Sequence, residues 1–470
     1  MTYRLICGLL VAVSVLLTAG CYKPATTRTS YPVYHGSLHR NTAPPGAAKY
    51  ASVIPVTRFS DSAPGYAGTS SISASSDLFP KPGPMETQVA FWRNVYGVWS
   101  RSQVILHDDR FMDVIYQVIQ LPGNIMESYT PIQKELIQER KAYWQYRLRD
   151  LEQKVAAGAN LAPDDRRLLS KFGRNGSFRS ALQGASGRLR AQRGLRERFK
   201  RGLEISGRYD RHFRAIFREA GLPEDLAYLP HVESSFQTQA RSSAGAVGVW
   251  QFTRAAAERF MTVNSVIDER LDPVASARGA ARYLSHAYGK LGSWPLAITS
   301  YNHGISGMMR AKQAFGYDFM RIVSDYDHPL FGFASRNFYA EFLAAREIAR
   351  QPSRFFHEGI RYEKSLDWDR VVLAENAFVS SLARQYDTDK SRLISLNAAW
   401  TGPAQSDKAA LPAGTEVWLP SGTLRQIASR APQNRLAAQK SESKMASPNV
   451  KVIYPGNTAP GGPGKRPKPF

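Results

Sequence analysis

The chain has 470 residues, 43% of them hydrophobic and 11% aromatic, which is material for two or three domains with sizeable cores and excludes disorder throughout. A formal net charge of +23 points to anionic partners, whether nucleic acid, a membrane surface or an acidic cell-wall polymer. Nucleic acid is set aside as a partner, because the chain has no zinc-ligand spacing, zipper pattern or RNP-like strand and opens with an export sequence.

Residues 1–21, MTYRLICGLLVAVSVLLTAGC, combine one arginine, an apolar run from Leu5 to Leu17 and small residues before Cys21, the form of a signal peptide. That run falls short of the about 20 apolar residues a membrane-spanning helix needs. Leu17-Thr18-Ala19-Gly20-Cys21 resembles the bacterial lipoprotein signal, which implies that Cys21 carries lipid and becomes the mature first residue; Thr18 departs from the usual leucine. Tyr22, in place of the aspartate that often marks inner-membrane retention, implies a lipid anchor in the bacterial outer membrane, facing the periplasm. Cys7 and Cys21 are the only cysteines, so cleavage leaves neither a disulfide pair nor a thiolate cluster for zinc.

Residues 22–85 are rich in Ser, Thr, Pro, Gly and Ala without a sustained period, and read as a disordered tether. Residues 86–204 read as a helical support region. Its first part, VAFWRNVYGVWSRSQVILHDDRFMDVIYQVIQL, is dense in aromatic and β-branched residues and ends at Pro122-Gly123. A long amphipathic helix follows in TPIQKELIQERKAYWQYRLRDLEQKVAAG, then a short one from Arg166 to about Phe172. The basic stretch from Gly184 to Gly202 reads as a helix whose Leu189, Leu195 and Phe199 form an apolar stripe beneath solvated arginines, in preference to a polyanion-binding helix.

Residues 205–354 hold the stretch that looks like chemistry. Phe213, Ile216 and Phe217 give one helix an inward face, with His212 expected on the surface and Gly221 as the stop. Pro223, Glu224 and Asp225 suit the start of the next. Leu222, Leu226, Leu229 and Val232 recur at helical spacing and carry Glu233 to the end of a buried stripe, with Pro230 a candidate kink. A carboxyl group on an apolar face can stay protonated near neutral pH and serve as a general acid. A capped or salt-bridged core carboxylate is the plainer alternative for a lone glutamate. Further on, Gly245 and Gly248 allow close backbone approach, Trp250 and Gln251 offer a stacking face and an amide, and Tyr301 and Asn302 return a phenol and a second amide. Asp272, before Pro273, reads as an N-cap within the acidic cluster Asp268, Glu269 and Asp272. His231 and His303 flank these motifs, but nothing like H-E-x-x-H is present, so no metal is expected.

Taken in order, ESSF, GAVGVWQF, the DER-L-D segment, an ARYL helix and WPLAITSYNHG resemble the soluble lytic transglycosylase domain, and the motif set as a whole resembles the membrane-bound D-type branch of that family. The resemblance implies a mainly α chain with a lysozyme-like helical catalytic domain, no cofactor, and cleavage of the N-acetylmuramic acid to N-acetylglucosamine bond in peptidoglycan with formation of 1,6-anhydromuramic ends. It implies Glu233 as the catalytic acid/base and Ser234, Ser242, Gln251, Tyr301 and Asn302 as substrate-binding residues. Where the family often carries E-T-R-x-Y-V, this chain reads ASRNFYAEF, with Ala334 at the acid and Phe338 at the tyrosine; Tyr339 is a candidate replacement. A lysozyme-type hydrolase, which would need Asp268, Glu269 or Asp272 in the cleft, and a non-catalytic peptidoglycan-binding lipoprotein are the alternatives.

Residues 362–422, with SLARQY, LISLN and LPAGTEVWLP in order, resemble a degenerate LysM module, small and α+β, whose usual G-D-T-L opening is replaced by Glu375-Asn376-Ala377-Phe378. That resemblance implies binding of N-acetylglucosamine-containing glycan. Residues 431–470, rich in Gln, Ser, Lys, Pro and Gly, read as a disordered basic tail.

Overall fold

The computed structural model describes residues 78–173 and 177–429, together with the backbone of 53–55. The signal peptide, Cys21, most of the tether and the 431–470 tail lie outside the described residues. The architecture is mainly α, as expected, but two small antiparallel sheets divide it into three packed cores.

Strand β1 (Val53–Pro55) and the segment from residue 78 already depart from the tether reading. Phe79 and Met85 are buried, and Phe79 packs edge-on to Phe342 at 5.2 Å. Two apolar side chains suffice to dock this end of the linker on the main core. Helix α1 (Glu86–Gly97) follows and buries Phe91, Trp92, Val95 and Tyr96.

The next hundred residues were expected to be helical, and here the structure corrects the reading. Gln103–Asp108 (β2) and Ile115–Gln120 (β3) are strands, and the basic stretch supplies a third, Leu189–Arg193 (β4), giving the sheet order β3-β2-β4. The β-branched runs QVILH and IYQVI favour a pleated surface, and hydrophobic density alone does not distinguish a buried strand from a buried helix. Only α2 (Pro131–Ala156) is long; it opens with the capping box of Thr130 and Gln133. With α3 (Pro163–Ser170), α4 (Phe178–Leu182) and α5 (Ala185–Arg188) it covers the sheet and closes a separate core around Val104, Leu106, Leu148, Leu151 and Phe172.

The main core is built by α6 (Arg196–Ser206), α7 (Asp210–Glu219), the 3-10 turn Glu224–Tyr228, α8 (Leu229–Glu233), α9 (Arg254–Ala257), α10 (Pro273–Leu291), α11 (Trp294–His303), α12 (Ile305–Phe315), α13 (Phe319–Asp325) and α14 (Phe333–Arg350). Pro230 does not kink a long helix; it stands in the first turn of α8, where its missing N–H costs nothing. Helix α1 lies along α14, joined by Trp92 Nε1 donating to Asn337 Oδ1 at 3.1 Å.

The C-terminal part runs β5 (Asp369–Leu373), α15 (Val379–Gln385), α16 (Lys390–Leu396), α17 (Gly402–Gln405) and β6 (Glu416–Leu419), with β1-β5-β6 as its sheet. It is stitched to the main domain. Trp418 Nε1 donates to Asp272 Oδ2 at 2.9 Å, while Asp272 Oδ1 caps α10 by accepting from Val274 N and Ala275 N at 2.8 Å each. His212, expected on the surface, is buried there, with Nε2 3.0 Å from the Leu366 carbonyl oxygen. Because Asp272 serves both a helix end and the inter-domain bond, Asp272→Ala is expected to lower stability by about 1–3 kcal/mol, read as a lower midpoint in chemical denaturation.

Candidate active site

Glu233 is the last residue of α8, and the chain turns sharply after it. Ser235 and Phe236 both have left-handed backbone, with φ of 51° and 58°. Such conformations are costly for residues with a Cβ and persist only where the surroundings enforce them. The enforcement is visible: Phe236 is buried 4.6 Å from the His231 ring, and Ser234 Oγ donates to the Val249 carbonyl oxygen at 2.8 Å. Helix α6 presses on the same turn through Gly202, where a Cβ would come within 2.8 Å of the Ser235 carbonyl oxygen. Gly202→Ala is therefore expected to displace the carboxyl of Glu233, costing about 1–3 kcal/mol in stability and lowering turnover more than substrate affinity. Steady-state kinetics beside a thermal melt would check this.

The side chain of Glu233 points into a cavity of about 470 Å³. Glu233 is half-buried; its Oε1 is shielded from solvent and has no hydrogen-bond partner. On the same wall lies a second acid that the sequence reading missed. Glu341, on α14, is 1% exposed, accepts a hydrogen bond from Tyr96 Oη at 3.0 Å on Oε2, and leaves Oε1 unpartnered. Burial, and then the neighbouring Glu341, push the Glu233 carboxyl well above the usual carboxylate range. Burial raises Glu341 to about 8, against a smaller lowering by the Tyr96 hydrogen bond. Two acids lining one cavity oppose each other's ionisation, which adds to burial, so at neutral pH both favour the protonated form.

Glu341 left a trace in the sequence. Ala334, where the family pattern places an acid, Phe338 and Glu341 recur at helical spacing, so the carboxyl returns two turns further along one face of α14. Tyr339 does not replace the missing tyrosine: its hydroxyl donates to the Pro80 carbonyl oxygen at 2.9 Å, holding the end of the linker.

Of the other sequence-predicted residues, Ser234 lines the cavity with Glu233, whereas Ser242, Gln251, Tyr301 and Asn302 do not. Tyr301 lies buried, where burial and then the nearby Glu233 raise its phenol well above the usual range, with its hydroxyl donating to the Trp250 carbonyl oxygen at 2.9 Å. Asn302 is buried, its Oδ1 accepting from Ser335 Oγ at 2.7 Å. Gln251, itself left-handed at φ 50°, donates from Nε2 to the Gly248 carbonyl oxygen at 2.7 Å. Ser242 Oγ accepts from Ala246 N at 3.0 Å and shapes the adjoining turn. Trp250 offers no stacking face, being fully buried with Phe213 at 5.1 Å and Phe217 at 5.7 Å. Asp268 is paired with Arg270 at 2.7 Å, Glu269 accepts from Thr262 N at 2.7 Å, and neither lines the cavity.

The sheet domain also lines the cavity. Strand β4 contributes Arg190 and Arg193, and α2 contributes Lys134, Gln138 and Lys141.

Residues 213–318 match the family model described as the transglycosylase SLT domain, which takes in Glu233 and all five expected substrate-binding residues but not Glu341 or the sheet domain. A membrane-bound lytic murein transglycosylase F 2 of Alkalilimnicola ehrlichii is 36% identical over 114 residues, 23% of this chain and 24% of that protein. Membrane-bound lytic murein transglycosylase D of Escherichia coli K12 is 26% identical over 195 residues, 39% of this chain and 41% of its own length. The chain thus spans well under half the length of these curated relatives. The 70 kDa soluble lytic transglycosylase of Escherichia coli shares 15% identity over 48% of this chain and 45% of its own, with a TM-score of 0.27.

Proposed function

We propose that this chain is a peptidoglycan lytic transglycosylase that cleaves the bond between N-acetylmuramic acid and N-acetylglucosamine and leaves 1,6-anhydromuramic ends. One observation carries the reading: within the matched segment, Glu233 offers a buried, unpartnered carboxyl oxygen to a cavity of about 470 Å³ and is held well above the ordinary carboxylate range.

Neutral Glu233 protonates the glycosidic oxygen as the bond to the muramyl anomeric carbon breaks. The charge that develops on the sugar is met by its own 2-acetamido carbonyl. Glu233, now ionised, takes the proton of the muramyl 6-hydroxyl as that oxygen closes on the anomeric carbon. No water enters, and the tethered hydroxyl removes much of the entropic barrier. Tyr301 is a positioning residue near the acid, Ser234, Ser242 and Gln251 hold the turns around it, and Asn302 ties α11 to α14 through Ser335.

A hydrolase reading gains one specific observation, the second carboxyl of Glu341 in the same cavity. It is weakened by that group's state: burial raises Glu341 to about 8 and so favours the protonated form at neutral pH, which is the wrong form for the base an inverting mechanism needs. Mass spectrometry of digested sacculi separates the two. Anhydro-muropeptides are expected; reducing muramic ends would overturn the transglycosylase reading, and no release at all would favour a wall-binding lipoprotein.

The order of a strand, helices α15 and α16, the one-turn α17 and a second strand from β5 to β6 supports a LysM-like module over 362–422 that holds N-acetylglucosamine-containing glycan. Lipid on Cys21, the outer-membrane location and the periplasmic face complete the reading; both curated relatives are named membrane-bound.

A further inference from the structure

The lining of the Glu233 cavity carries more positive charge than its own folding uses. Six of the lining side chains are cationic, from Arg101, Lys134, Lys141, Arg190, Arg193 and Arg198. Three of these are engaged locally. Arg101 and Arg198 share the Glu127 carboxylate at 2.5 Å each, and Arg193 donates to the carbonyl oxygens of Arg101, Met126 and Glu127 at 2.7 to 2.9 Å. The other three make no ion pair or side-chain hydrogen bond among the described residues. Lys134 and Lys141 have no acidic partner there, whereas Arg190 lies over the Phe333 ring at 4.3 Å and feels the charge of Asp109 without closing a salt bridge to it. The two acids in the cavity do not neutralise them, since burial favours the protonated form of both.

Cations without salt-bridge partners in the same cavity as a neutral acid fit a ligand that is uncharged where it meets Glu233 and anionic a short distance away. Lys134 and Lys141 stand seven residues apart on α2, about 10 Å along the helix axis. That is the reach of about three extended peptide residues. We propose that Lys134, Lys141 and Arg190 form a carboxylate-binding wall that takes the acidic peptide borne on the muramyl sugar while Glu233 engages the sugar linkage. The assignment rests on the glycan-cleaving reading, in which an anion attached to the sugar enters the same cavity when the linkage lies at Glu233.

The test uses the full chain carrying Glu233→Gln, so that binding is read without cleavage, and compares it with the same chain also carrying Lys134→Ala and Lys141→Ala. Both lysines lie on the partly exposed face of α2, outside its buried positions. Calorimetric Kd values are taken for an N-acetylglucosaminyl-N-acetylmuramyl disaccharide with a tripeptide, the same compound with its carboxylates amidated, the bare disaccharide and the free tripeptide. Removing the lysines is expected to weaken the tripeptide-bearing sugar about tenfold or more, with a shallower salt dependence, and amidation to cause a similar loss. The bare disaccharide is expected to bind both proteins alike. Equal affinity for peptide-bearing and bare sugar overturns the wall but leaves the glycan reading standing. Free tripeptide binding as tightly as the sugar-borne one also overturns it, since the site would then be unrelated to the linkage. Failure of every sugar to bind overturns the glycan reading, and the wall with it.

Discussion

Glu233→Gln is expected to abolish release of anhydro-muropeptides from sacculi, a loss of at least about 10²–10⁴-fold for a positioned acid and more if the same carboxyl also serves as base. The amide keeps the shape and the neutral charge of the protonated acid, so the fold should be undisturbed. The thermal midpoint is expected to hold or rise, because the substitution removes a carboxyl that folding must keep protonated. Retained activity in this variant would remove the proton donor on which the reaction scheme depends. An activity loss accompanied by a collapse of the melt would point to packing in place of chemistry.

Glu341→Gln is expected to act through pH. The folded state raises Glu341 to about 8, above the about 4.3 of an exposed glutamate, so folding binds its proton more tightly. Its contribution to stability is complete below about pH 4 and is lost as pH rises toward 8. The amide escapes that penalty while still accepting the Tyr96 hydrogen bond. The variant should therefore gain on the parent by an amount that grows from pH 5 to pH 8, reaching on the order of a few kcal/mol. Activity moves as well. Removing the like charge lets Glu233 ionise at lower pH, so the alkaline limb of kcat/KM should shift toward acid, an effect that mere loss of packing would not produce. An unmoved limb together with parallel melting curves would deny any electrostatic coupling between the two carboxyls.

Both expectations depend on a cavity that neither local pattern nor motif reveals. Leu222, Leu226 and Leu229 announced that Glu233 would end an apolar stripe, and Asp272 before Pro273 announced a cap; these are local consequences of helical period and of the unsatisfied N–H groups at a helix start. The strands β2, β3 and β4 were read as helix because a short apolar run carries no period that separates the two, and pairing decided it, locally between β2 and β3 and across more than eighty residues between β2 and β4.

Residue chemistry by itself determined that this chain holds a greasy carboxyl among turn-forming glycines, aromatics and amides, because such patterns are written in nearest neighbours along the chain. Only tertiary structure decided what faces that carboxyl. Glu341 arrives from a helix 108 positions later and the cationic wall from a domain inserted before it. Burial, like-charge repulsion and unpaired cations act through distance in space, and a linear chain does not record that distance.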